Sequence, residues 1–130
     1  MPKITAFYAA LHALLLLALA ARIVRYRLTA RIGLGVAGDR ALEQRMRVHG
    51  NAVEYVPIAL ILLLLLELSA LPVLWLHVFG GGLLLARVLH AIGLSRHSGM
   101  SFGRFQGTLW TWAAIIAMSF TLLARLLLLP

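Results

Sequence analysis

Four long stretches without a formal charge set the limits on this chain: residues 4–21, 55–66, 68–86 and 105–124. A helix needs about 20 apolar residues to cross a hydrocarbon core of about 30 Å. Runs of that kind belong either in a bilayer or in a large protein core. Composition decides between the two, because 62% of the 130 residues are hydrophobic and the mean hydropathy is +0.96, whereas a globular domain is about half apolar. A soluble monomer of this length has no interior able to hide so much apolar surface. The expected fold is therefore all-α, an integral membrane four-helix bundle in a single domain, 1–130. The spans are expected at about 4–24, 48–68, 73–94 and 106–128.

The second uncharged run is too short to span alone. Extending it back to Val48 completes it, but draws Asn51 and Glu54 into the membrane. Ionisable groups at that depth are costly and usually serve a function. The first run follows Lys3 and has the outline of a signal peptide, yet it is long and leads into arginines rather than a small-residue cleavage site, so it is read as a retained helix.

Charge placement gives the orientation. Arg22, Arg25, Arg27, Arg31, Arg40, Arg45 and Arg47 crowd between the first two runs, and Arg96 and Arg104 lie between the last two. The connection around Ser69 to Pro72 has no Lys or Arg. Both basic loops are thus expected in the cytoplasm. The net charge of +8 and pI near 11.6 suit anionic lipid headgroups, not nucleic acid, because the arginines flank hydrophobic spans. No cysteine is present, so any thiol chemistry must use a substrate thiol. His12, His77, His90 and His97 form no pair at i, i+4, and no metal site is expected. Asp39, after a glycine-broken loop, is the expected N-cap of a second helix that begins before the membrane.

That helix carries the chemistry. Arg47, Asn51, Glu54 and Tyr55 fall within an arc of about 100° at 3.6 residues per turn. A cation and an amide suit carboxylates, a carboxylate suits an ammonium, and a phenol adjusts to either, so the face fits an amino-acid-like zwitterion. Pro57 removes a backbone donor beside the cluster, and a kink is expected there. The competing reading is a purely structural cluster in which Glu54 pairs with Arg87, the charge within the third span.

The string Arg47-Val-His-Gly-Asn51-Ala-Val-Glu54-Tyr55-Val-Pro57 resembles the signature of the MAPEG family, membrane-associated proteins in eicosanoid and glutathione metabolism. Length, four spans and the long basic first loop agree with it. The resemblance is nearest to small bacterial members and to microsomal glutathione transferases. It implies a homotrimer of four-helix subunits, glutathione as cosubstrate held between adjacent subunits, and a hydrophobic electrophile or lipid approaching from the bilayer. Carried over by position, Arg47, Asn51, Glu54 and Tyr55 match glutathione-binding residues, Arg87 matches an arginine on the third helix, and Arg27 or Arg25 a first-helix arginine. His90 and Leu94 stand where relatives often carry tyrosine.

The chemistry requires a cation near the glutathione sulfur, since a free thiol has a pKa of about 8.5 and the thiolate is the nucleophile. Each unit of pKa depression takes about 1.4 kcal/mol of selective anion stabilisation. The resemblance assigns this catalytic role to Arg104, with Arg96 as its alternative.

Three further features admit two readings each. Gly99, Gly103 and Gly107 recur every four residues, suiting either close helix packing or a turn. Gly80, Gly81 and Gly82 point to helix contact before room for a lipid tail, and Trp75, Trp110 and Trp112 to interfacial anchors before a substrate groove. Three functions compete on this evidence: a glutathione-dependent transferase or peroxidase, a non-catalytic lipid-binding scaffold of the same family, and a small proton-coupled exporter using an intramembrane Glu.

Overall fold

The computed structural model of the protein describes residues 1–96 and 102–128, without the side chains of Arg96 and Arg104. It contains α1 (Lys3–Ala30), α2 (Arg40–Leu68), α3 (Val73–Arg96) and α4 (Phe102–Leu128). Each is long and apolar enough to cross a membrane. Short connections fold consecutive helices back against each other. α3 and α4 pack most extensively, α2 touches all three other helices, and α1 and α4 do not meet among the described residues.

Local chemistry sets the helix ends. The Asp39 side chain accepts the Leu42 N–H at 2.9 Å, as the sequence suggested, and α2 then runs unbroken through Pro57. At the other end of α2, Ala70 takes a left-handed φ of 58°. The Leu71 N–H reaches the Leu66 carbonyl and the Ala70 N–H that of Glu67, both at 3.1 Å. This is a Schellman ending with alanine where glycine is favoured, followed at once by Pro72. α1 ends similarly, with Arg31 at φ 55° and the Ile32 N–H on the Arg27 carbonyl.

The interior is layered. One apolar cluster joins Tyr8, Ala59, Leu63, Leu66, Leu76, Leu83 and Met118. A second joins Leu19, Val48, Ala52, Ala91 and Leu94, nearer the basic end. Along the chain, His12 on α1, Arg87 on α3 and Thr111 on α4 fall beside or between the members of these clusters, and all three are fully buried. Outward faces carry exposed Leu17, Leu74, Trp75, Leu85, Trp110, Trp112 and Phe120. That arrangement is stable where lipid, not water, meets the surface.

Glycine sets the helix spacing at two points. A Cβ on Gly80 would stand 2.3–2.7 Å from the Tyr8 ring, and one on Gly107 would stand 2.6 Å from His90 Cβ and 2.7 Å from the Ala86 carbonyl oxygen. A Cβ on Gly103 would be tight but less crowded, 3.1 Å from the Leu89 carbonyl oxygen and 3.2 Å from Gly93 Cα. These glycines therefore serve helix contact, while Gly99 lies outside the described residues. Tyr8, seated over Gly80, has its hydroxyl 3.0 Å from His77 Nδ1.

Candidate functional site

At the basic end, α2, α3 and α4 enclose an open cavity of about 440 Å³ lined by Glu43, Met46, Arg47, Gly50, Asn51, Glu54, His90, Leu94 and Thr108. Its polar side chains come mainly from α2, whose residues 43, 47, 50, 51 and 54 recur at helical spacing along one face. Arg47 and Glu54 are exposed there, and neither forms an ion pair among the described residues. His90 and Leu94, one turn apart on α3, form the buried back wall.

Behind this wall sits Arg87, 1% exposed. Its Nη2 donates to Asn51 Oδ1 at 2.8 Å, and its Nη1 to Thr111 Oγ1 at 3.4 Å. The Thr111 hydroxyl in turn donates to the Gly107 carbonyl at 2.7 Å. Arginine is donor-only, so the Asn51 oxygen is committed to Arg87 and the amide nitrogen is the atom left for other partners. Arg87 therefore pairs with Asn51 rather than with Glu54, the partner considered in the structural reading.

The remaining residues singled out from the sequence are placed as follows. Tyr55 is half-buried, its ring centroid 5.9 Å from the Arg87 guanidinium carbon, and it is not part of the cavity lining. Arg27 borders a different cavity of about 430 Å³ with Val24, Leu28, Arg31, Ile32 and Gly33. Its Nη2 nevertheless reaches Met46 Sδ at 3.3 Å, and Met46 lines the first cavity. Arg96 ends α3 and Arg104 lies in the first turn of α4, so both belong to the basic end, but their side chains lie outside the described residues. Among the described residues no cluster of three or more His, Asp or Glu is arranged to hold a metal ion.

Sequence reasoning passed over Glu43, Met46, Gly50 and Thr108 as lining residues. Glu43 was detectable, standing one turn before Arg47 on the same face. Thr108 was not, because its place depends on how closely Gly103 and Gly107 bring α4 to α3.

With this geometry in hand, comparison with known proteins is decisive. The profile of the MAPEG family matches residues 5–124. The chain belongs to the MAPEG family. It is also 37% identical over 115 residues to "Inner membrane protein YecN" of Escherichia coli (strain K12), a match covering 88% of this chain and 86% of that protein. The protein of the same name from Escherichia coli O6:H1 matches to the same extent. In this MAPEG chain the signature residues divide into two groups. Arg47, Asn51 and Glu54 border the open cavity, whereas Tyr55 and Arg87 stand behind it.

Proposed function

We propose that this protein is a glutathione-dependent membrane transferase, with a peroxidase activity in which the same thiolate attacks the hydroperoxide oxygen, the O–O bond breaks to leave the alcohol, and a second glutathione is oxidised to give the disulfide and water. The observation that carries the reading is the cavity wall on α2, where a cation, an amide nitrogen and a carboxylate follow one another along one face. Arg47 and the Asn51 amide suit the carboxylates of glutathione, and Glu54 suits its ammonium. Arg104, and failing it Arg96, lies at the correct end of the bundle to hold the sulfur as thiolate. The thiolate then attacks a hydrophobic electrophile that arrives along the lipid-facing helices. A carbon–sulfur bond forms, and the electrophile's leaving group departs with the electron pair.

Because the cavity opens outward, a neighbouring copy in a homotrimer is the expected cover for the bound peptide. The basic end faces the cytoplasm in this account, and the protein resides in a bacterial inner membrane, where glutathione is available from inside.

A second reading, a lipid-binding scaffold without turnover, rests on one specific feature: Leu94 contributes an apolar side chain to the cavity where relatives often carry tyrosine. Titrating glutathione into the detergent-purified protein from pH 5 to 9, and following the thiolate absorbance, separates the two. The transferase reading predicts thiolate well below the free thiol pKa of about 8.5, lost in Arg104→Ala. Binding without thiolate favours the scaffold, and absence of binding removes glutathione from the function.

A further inference from the structure

A second polar cavity, of about 200 Å³, lies at the basic end between α1, α2 and α3. Arg22, Ala41, Gln44, Arg45, Val48 and Ser95 line it. It shares no lining residue with the cavity assigned to glutathione. Two arginines from different helices line it, and no carboxylate belongs to the lining. Arg22 Nη1 donates to Ser95 Oγ at 3.0 Å. Arg45 Nη1 donates to the Ala41 carbonyl at 2.7 Å, and its guanidinium carbon lies 4.0 Å from the centroid of the Tyr26 ring. A hydroxyl, a carbonyl and a π face orient the two cations, and none of these three groups carries a negative charge. Each guanidinium has five N–H donors, so most remain for an anion. Asp39, the carboxylate that acts on Arg45, is itself taken up by the Tyr26 hydroxyl at 2.9 Å and by the Leu42 N–H.

The depth of the pocket identifies the anion. The uncharged run of α1 ends at Ala21, immediately before Arg22; the second span begins at about Val48; and the third closes at about Leu94, immediately before Ser95. On these expected spans all three helices leave the hydrocarbon core at this pocket, next to the headgroup layer that holds a bilayer's phosphates. We infer that Arg22, Arg45 and Ser95 form a binding site for a phosphate anion, and that its occupant is the headgroup of an anionic phospholipid. Bidentate guanidinium contacts suit phosphate oxygens. The lipid would tie the basic ends of α1, α2 and α3 together.

The experiment uses the full-length protein, delipidated in neutral detergent, with lipid retention measured by native mass spectrometry. Dioleoylphosphatidylglycerol is expected to be retained in preference to dioleoylphosphatidylcholine. The double variant Arg22→Gln, Arg45→Gln is expected to bind the anionic lipid about tenfold more weakly, in line with the loss of two charge-assisted contacts. Ala41→Leu keeps both charges but fills the pocket, and should lower retention too. Arg31→Gln removes an exposed arginine outside the pocket and should leave retention unchanged. Displacement of the lipid by inorganic phosphate at equal concentration would assign the same site to a free anion. Equal retention by wild type and the double variant, or an equal loss in Arg31→Gln, would overturn the proposal.

Discussion

The end of this bundle that bears the termini and the α2–α3–α4 cavity at its basic end treat their polar side chains in opposite ways. At the end bearing the termini, Glu67, Arg125, Tyr8 and His77 are engaged by the fold, although the buried Thr5 hydroxyl has no hydrogen-bond partner among the described residues. Glu67, from the last turn of α2, accepts the N–H groups of Ile4 and Thr5 at 3.0 and 2.7 Å, and so caps a helix more than sixty residues away. Arg125 Nε donates to Ser69 Oγ at 3.0 Å, and its Nη2 to the Ser69 carbonyl, satisfying the end of α2. Tyr8 and His77 pair across α1 and α3. At the basic end Arg47 and Glu54 lie open to the cavity with no ion-pair partner among the described residues. Among the described residues Asn51 has only its oxygen engaged. In a membrane, unsatisfied polar groups are expensive. The first end shows that this chain can satisfy charges internally, which makes the open charges of the second informative about a ligand.

The contrast yields substitutions that act on stability alone and others that act on binding alone. The largest effect is expected from Gly107→Ala, whose new methyl would meet both the backbone of α3 and His90. Overpacking of this kind costs about 1–3 kcal/mol, and the melting temperature in detergent should fall accordingly. Because His90 lines the cavity, Gly107→Ala should also weaken glutathione binding, blurring the division between the ends at this one contact. Gly80→Ala, which forces the Tyr8 ring aside at the other end, should lower melting and leave binding intact.

Next in size, Arg47→Ala and Glu54→Ala are each expected to weaken glutathione binding by about 1–3 kcal/mol, measured by titration calorimetry, with little change in melting. Arg87→Ala should do both, since it removes a buried cation and releases the oxygen of Asn51.

A smaller effect is tied to pH. The Leu42 N–H, and after it the Tyr26 hydroxyl, hold the Asp39 carboxyl below its ordinary range. A carboxyl with a depressed folded-state pKa contributes stability above its unfolded value, and that stability is lost as pH falls through the folded value. Melting of the wild type should therefore hold from neutral pH to about pH 5 and decline below it, and Asp39→Asn, which retains an N-capping side chain, should flatten that part of the profile. The smallest expected change is a gain. Ala70→Gly removes the strain of a left-handed alanine and should raise stability by about 0.5–1 kcal/mol.

Much of this was legible in the sequence, for physical reasons that also explain the omissions. The four helices follow from uncharged runs, since a bilayer penalises each charge independently of its neighbours. The Asp39 cap is a local signal three residues long. The α2 face of Arg47, Asn51 and Glu54 needed only the helical period. Hidden from the sequence were contacts between distant positions: Glu67 on the start of α1, Arg125 on Ser69, and Arg87 on Asn51 rather than Glu54. Each depends on the rotation of one helix against another, and residue spacing carries no information about that. His12 reads as an isolated histidine in an apolar run, yet it is fully buried, with Nδ1 2.8 Å from the Tyr8 carbonyl. A carbonyl only accepts, so Nδ1 carries the proton.

The most direct test of the account compares its two intramembrane carboxylates, titrating glutathione into wild type, Glu54→Gln and Glu67→Gln while recording the melting temperature of each. Glu54→Gln is predicted to lose affinity at unchanged melting, and Glu67→Gln to melt lower at unchanged affinity. Equal glutathione affinity in all three proteins, or a joint loss of affinity and stability in Glu54→Gln, would contradict the claim that the polar groups of the basic end are reserved for a ligand.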